Sequence, residues 1–212
     1  MIKKIAVFAV LLFSPCVAFA TSEAVKFLSE DEVASHSETI KKAENYLSNL
    51  TTITSEFTQV APDGNIAGGK FYLERPQKMR WEYKPPVPIL MVANGSELVY
   101  YDSELQQVSY IPLTSNLIGF LAQEKISFSG DVGIISFSEE AGFIRIGVAQ
   151  REKPSDGNLL LEFSDNPLLI RSMVVTDASG QVTNVALNNA KFGDSIDKKL
   201  FDFRDPRKKK GQ

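Results

Sequence analysis

The chain has 212 residues, 43% of them hydrophobic, and a formal net charge of −3. That length supports one domain with a substantial core, and the acidic balance excludes the basic footprint of a nucleic-acid binder. One cysteine and one histidine leave no disulfide framework, no zinc ligand set and a single base for any triad.

Residues 1–20 read as a signal peptide. Lys3 and Lys4 form a positive n-region, Ile5 to Phe13 an apolar h-region, and Ala18-Phe19-Ala20 an A-x-A cleavage site. The apolar run is too short for a membrane span. Cleavage after Ala20 predicts an exported, soluble mature chain of residues 21–212, organised as one domain. Cys16 raises a lipoprotein alternative, but Pro15 stands where a small residue is needed before a lipidated cysteine. Removal of the leader then leaves no thiol.

Thr21 to Ser35 is polar and reads as a flexible lead-in. Ser35 with Glu38 fits a capping box. Ile40, Ala43, Leu47 and Leu50 then recur at helical spacing, which predicts one amphipathic helix. His36, at its start, reads as a solvated end residue. From Thr51 the period changes to two. Strands are expected near 52–60, 66–75, 78–84, 88–93, 97–102 and 105–111. Asp63-Gly64 and Asn94-Gly95 supply the positive φ of tight turns. A short helix follows, with Leu113, Leu117, Ile118 and Leu121 on one side. Strands resume near 126–129, 132–138, 142–149, 158–164, 168–176 and 181–191. The tail Arg207-Lys208-Lys209-Lys210 reads as a solvated terminus. The sum is a mainly β chain, about eleven strands in an antiparallel meander, which must curl, split or close.

Catalytic chemistry is sparse. Asp63, Asp102, Glu139, Glu140, Asp156 and Asp177 mostly fall in turns, where turn geometry explains them, so no enzyme is expected. No metal or cofactor motif is present. The strands are instead rich in large apolar groups. Met79, Trp81 and Tyr83 alternate with Arg80, Glu82 and Lys84, which puts the apolar groups on one face. Phe57, Phe71, Leu73, Leu90, Val92, Leu98 and Tyr100 extend that concave face, and Phe128, Phe137, Leu159, Leu161 and Phe163 continue it. Two short helices do not cover so much apolar sheet tightly, which predicts a cavity for an apolar ligand.

Several motifs follow one another in a fixed order. They are Phe57-x-Gln59, Gly69-x-Phe71-x-Leu73-x-Arg75-Pro76, Trp81-x-Tyr83-x-x-Pro86 and Asn94-Gly95. Val99-Tyr100-Tyr101-Asp102, Gln106-Gln107-Val108 and Leu200-Phe201-x-Phe203-x-x-Pro206 come after them. Their ordered sum resembles the periplasmic outer-membrane lipoprotein carrier family, LolA. The resemblance implies an unclosed antiparallel β-barrel with a small α-helical lid, the lid carrying Ile40, Leu47, Leu50, Leu117 and Leu121. It implies a periplasmic chaperone, monomeric and without cofactor. Such a protein takes acylated lipoproteins from an inner-membrane ABC transporter and delivers them to the outer membrane, in some cases to an acceptor lipoprotein. Arg75 matches the family arginine thought to lock the lid through backbone carbonyls, and Trp81 a cavity-lining residue. The chain departs in ending soon after Pro206 with a basic tail, where longer relatives continue. Two alternatives share the half-barrel: a lipid- or lipoprotein-sensing regulator, and an outer-membrane acceptor.

Overall fold

The computed structural model describes residues 25–113 and 117–207, with only the backbone described for Leu117 and Ile118. The leader and Lys208–Lys210 therefore lie outside the described residues. Two helices come first, α1 (Glu30–Ser35) and α2 (Ser37–Asn49). Six strands follow: β1 (Thr52–Val60), β2 (Ile66–Glu74), β3 (Lys78–Tyr83), β4 (Ile89–Asn94), β5 (Glu97–Asp102) and β6 (Gln107–Pro112). A 3-10 turn at Leu117–Ala122 interrupts the meander. The second half holds β7 (Val132–Glu140), β8 (Phe143–Gln150), β9 (Gly157–Ser164), β10 (Leu169–Asp177) and β11 (Val182–Phe192).

The eleven strands form one sheet in the order β6-β5-β4-β3-β2-β1-β11-β10-β9-β8-β7. Every pairing is antiparallel, and only β1 with β11 joins strands distant in sequence. β6 and β7 are the two ends, so the barrel is unclosed, as expected. The chain between those edges turns inward instead of pairing them, burying Leu113, Phe120, Leu121, Ile126 and Phe128.

Three local expectations are corrected. The capping box is Ser29 with Glu32, at the start of α1: Ser29 N donates to Glu32 Oε2 at 2.7 Å and Glu32 N to Ser29 Oγ at 3.3 Å. The lead-in is thus ordered from Val25 onward, and Leu28 N donates to Ile134 O at 2.8 Å. His36 is the joint between the helices and makes no side-chain cap. It is exposed as expected, with its ring stacked on Phe137 at 4.2 Å. Residues 126–129 are not a strand. There Phe128 N donates to Glu44 Oε1 at 2.6 Å. A helix side chain thus takes the place of a ladder partner, which satisfies the backbone as well as a strand would.

Directly paired residues share a face, so the register sorts the sheet. On the inner face Ile53 pairs Leu73, Ser55 pairs Phe71 and Phe57 pairs Gly69. Phe71 pairs Trp81 and Leu73 pairs Met79. Across the sheet, Leu161 pairs both Met173 and Ile146. Gly69 is needed at its position. A Cβ there would lie 2.6 Å from Phe57 Cε1 and strike the Glu82 carbonyl. The bare backbone lets the Phe57 ring lie across β2, edge-on to Trp81 at 4.9 Å and to Tyr83 at 5.0 Å.

Candidate functional site: an apolar cavity on the inner face of the sheet

The inner face of the sheet and the inward-turned connection enclose a cavity of about 140 Å³. One wall is Gln59 of β1, Met79, Trp81 and Tyr83 of β3, and Met91 of β4. The lining continues from β1 through Thr183 and Val185 of β11 to Met173 and Val175 of β10 and Leu159 of β9, with Leu121 closing the space. Three of these residues are methionines. Their unbranched, polarizable side chains repack around ligands of variable shape at low cost.

Of the residues expected in the cavity, Met79, Trp81 and Tyr83 line it. Phe57 and Phe71 lie against Trp81, the Phe71 ring at 4.2 Å, and hold the indole in place. Leu73 is buried on the same face. Leu98 and Tyr100 share that face through Ala93 and Met91. Leu90 and Val92 are corrected. They pair with Glu82 and Arg80 and so lie on the outer face. There the C-terminal segment covers Val92, with Phe201 buried and Leu200 O accepting from Arg80 Nη1 at 3.1 Å. The reason is a phase error. Ile89 to Ala93 is apolar without a break, so alternation carries no phase there. Met91 is the inward residue. Met173 and Val175 were missed for a related reason, since β10 carries apolar residues on both faces, and Thr183 and Val185 because only the pairing of β11 with β1 brings them beside Gln59. Gln59 stood in a noted motif without a role.

The 3-10 turn covers the cavity through Leu121, and α2 packs its apolar side into the same core. Ile40, Leu47 and Leu50 are buried, as is Leu121 of the turn. Leu117 opens the turn, and its side chain lies outside the described residues. Polar contacts tie α2 to both neighbours: to the sheet through Lys42 and Asp165 at 2.9 Å, Thr39 and Glu139 at 3.1 Å, and Ile170 N to Tyr46 Oη at 3.2 Å, and to the connection through Phe128 N and Ser127 Oγ to Glu44 Oε1 at 2.6 and 3.2 Å and Ser48 Oγ to Ile126 O at 3.2 Å.

Arg75 follows β2, and its backbone N donates to Thr51 O at 2.9 Å, beside the end of α2. Its Nε, Nη1 and Nη2 are cut off from solvent and have no acceptor among the described residues. The expected carbonyl acceptors are thus not engaged in this arrangement. Burial pulls the guanidinium down to about 10, with Tyr46 opposing the shift, so it stays a cation at neutral pH. Tyr83 is pushed up to about 12 by burial and by Tyr100, while its hydrogen bond to Gln59 Oε1, 2.6 Å, works the other way.

An apolar cavity on the inner face of an unclosed sheet calls for comparison with known carriers. The family model for "Outer membrane lipoprotein carrier protein LolA" matches residues 48–204. The chain belongs to the LolA family. It is 31% identical over 208 residues to the outer-membrane lipoprotein carrier protein of Azotobacter vinelandii, covering 94% of this chain and 95% of that one. The Methylococcus capsulatus protein of the same name is 28% identical over 183 residues, covering 82% and 88%. A crystal structure of a LolA-superfamily protein from Nitrosomonas europaea aligns at TM-score 0.42 and 12% identity, over 76% and 96% of the two chains. In this LolA-family chain, the described residues contain no cluster of three or more His, Cys, Asp or Glu fit for a metal. No described helix is long and apolar enough to cross a membrane.

Proposed function

We propose that this protein is a non-enzymatic periplasmic carrier, exported by cleavage after Ala20 and acting as a monomer. It accepts acylated lipoproteins from an inner-membrane lipoprotein-releasing ABC transporter, shields their acyl chains in the cavity and delivers them to the outer membrane, with or without a separate acceptor lipoprotein there. The observation that carries this reading is the methionine- and aromatic-walled cavity closed by Leu121 of the 3-10 turn.

Burying an acyl chain is worth about 0.8 kcal/mol per CH₂, so exposed chains would drive the cargo back to a membrane. A cavity of about 140 Å³ lies below the roughly 300 Å³ at which ligand pockets begin. In this reading loading moves the Leu121 turn off the sheet, and with it the helix bonded to the same connection, α2. Its exposed ion pair adds little resistance, and the apolar surface it vacates is covered again by the cargo. Arg75 serves as the lid lock in this reading: an arrangement of the cover that offers it carbonyl acceptors is favoured by several directional hydrogen bonds.

The test is release of an acylated lipoprotein from inner-membrane vesicles, given transporter, ATP and the mature protein. A soluble one-to-one complex is expected. Lipoprotein that stays in the vesicle pellet at saturating carrier sinks the proposal.

A further inference from the structure

Trp81 is 4% exposed and lines the cavity, yet its Nε1–H has no acceptor among the described residues. An indole N–H is a donor only, and a buried donor in a native fold normally has a partner. Among the described residues, the other buried side-chain polar atoms left without partners belong to Ser55, Glu74 and Arg75, none of which lines the cavity. The indole is also fixed in direction, wedged between Phe71 at 4.2 Å and Phe57 at 4.9 Å. Its donor is therefore set in place before any ligand arrives, which limits the ordering cost of binding.

Two further polar side chains share the wall. Tyr83 Oη donates to Gln59 Oε1 at 2.6 Å, which leaves the Gln59 Nε2 donors for another partner. Thr183 adds a hydroxyl from β11. A hydrocarbon chain satisfies none of these donors. An acyl chain carries at its head a carbonyl oxygen, an acceptor with two lone pairs and no hydrogen to donate.

Resting on the carrier reading, we infer that the cavity binds the carbonyl that links an acyl chain to its headgroup, with Trp81 Nε1–H donating to the carbonyl oxygen and Gln59 and Thr183 flanking it. The cavity thereby selects acyl esters and amides over alkyl ethers and plain hydrocarbon. The chain's linkage end lies at the β3–β1–β11 wall, and the methylenes run toward the methionines and Leu159.

The experiment compares 1-monopalmitoylglycerol with 1-O-hexadecylglycerol, which share headgroup and chain length and differ in the carbonyl. Each displaces an apolar fluorescent dye from the purified mature protein. One added hydrogen bond predicts about 5-fold tighter binding of the ester by the wild type. Trp81→Phe removes the donor together with part of the ring, so it should weaken both lipids, but the ester-to-ether ratio should fall from about 5 to about 1. Thr183→Val, which replaces a hydroxyl by a methyl, should narrow the preference in part, and it reads the same wall if Trp81→Phe does not fold. Equal binding of the two lipids by the wild type overturns the inference, as a water held by Trp81 would predict, and so does a preference that survives Trp81→Phe. Displacement by both lipids alike leaves the carrier reading standing. Displacement by neither overturns both.

Discussion

Arg75 and Tyr83 show how single side chains bear on stability. The Arg75 guanidinium is held down to about 10 by burial and has no acceptor among the described residues. It is charged at neutral pH and its desolvation goes uncompensated. Arg75→Leu should therefore stabilise the unloaded protein, by about 1–3 kcal/mol in urea unfolding. Because the lowered value is still near 10, that gain should be flat from about pH 6 to 9. The same variant should change the rate of lipoprotein release or of transfer to outer membranes. A variant less stable than wild type, with both rates unaltered, contradicts the lid lock. Tyr83 works in the opposite sense. Its folded value is raised to about 12 from an ordinary 10, so the native state keeps a proton that the unfolded chain loses. Its contribution is full below pH 10 and is lost as pH rises from 10 through 12. Tyr83→Phe should cost about 1 kcal/mol at pH 7 through the lost Gln59 bond. It should also lack that alkaline loss, which pH-dependent denaturation checks in the Arg75→Leu background to remove the opposing arginine.

At the scale of elements, β4 is the informative case. Its five apolar residues from Ile89 to Ala93 permit either register by pattern alone, and a one-residue slip exchanges the two faces. Pairing decides it: Met91 opposes Trp81, and Leu90 opposes Glu82. Met91→Gln should therefore weaken binding of an apolar dye several-fold, whereas Leu90→Gln should leave it within about 2-fold, since a single buried methylene-sized loss is worth about 0.8 kcal/mol or more. The reverse pattern in a dye titration would mean the opposite register. The helices teach a related lesson. The segment before α2 carries its own capping box at Ser29 and Glu32, and Ser35 with Glu38 mimics the same spacing one helix later. Local sequence cannot choose between two such boxes. The Leu28 bond to β7 favours the first.

On the scale of the whole molecule, the unclosed barrel and its cover form one device. The inward-turned connection between β6 and β7 fills the gap that pairing would otherwise close, and α2 rests across the second half of the sheet. The cavity is too small for cargo as it stands, and the proposed loading moves the connection, with α2 bonded to it, off the sheet. Lys42 and Asp165 meet at 2.9 Å across that joint. Replacing both by cysteine and bridging them with a reductant-cleavable bis-thiosulfonate cross-linker should abolish acceptance of lipoprotein, with recovery on reduction. Full acceptance by the cross-linked protein in the vesicle assay would show that loading does not pass through α2.

The class of this fold was legible in the chain alone. Period-two alternation, turn glycines and one amphipathic helix specify an antiparallel meander, because those signals arise from local backbone sterics and the alternation of side chains along a strand. Strand alternation also placed Met79, Trp81 and Tyr83 together, since Arg80, Glu82 and Lys84 mark the opposite face. Tertiary structure decided the rest. Only the β1–β11 pairing brings Gln59 beside Thr183 and Val185, and no local signal encodes a contact over that separation. Only register decides which of Leu90 and Met91 faces inward, because both are equally apolar. Whether a buried arginine or indole finds its partner depends on which backbone passes nearby, and that is settled when the helices dock on the sheet.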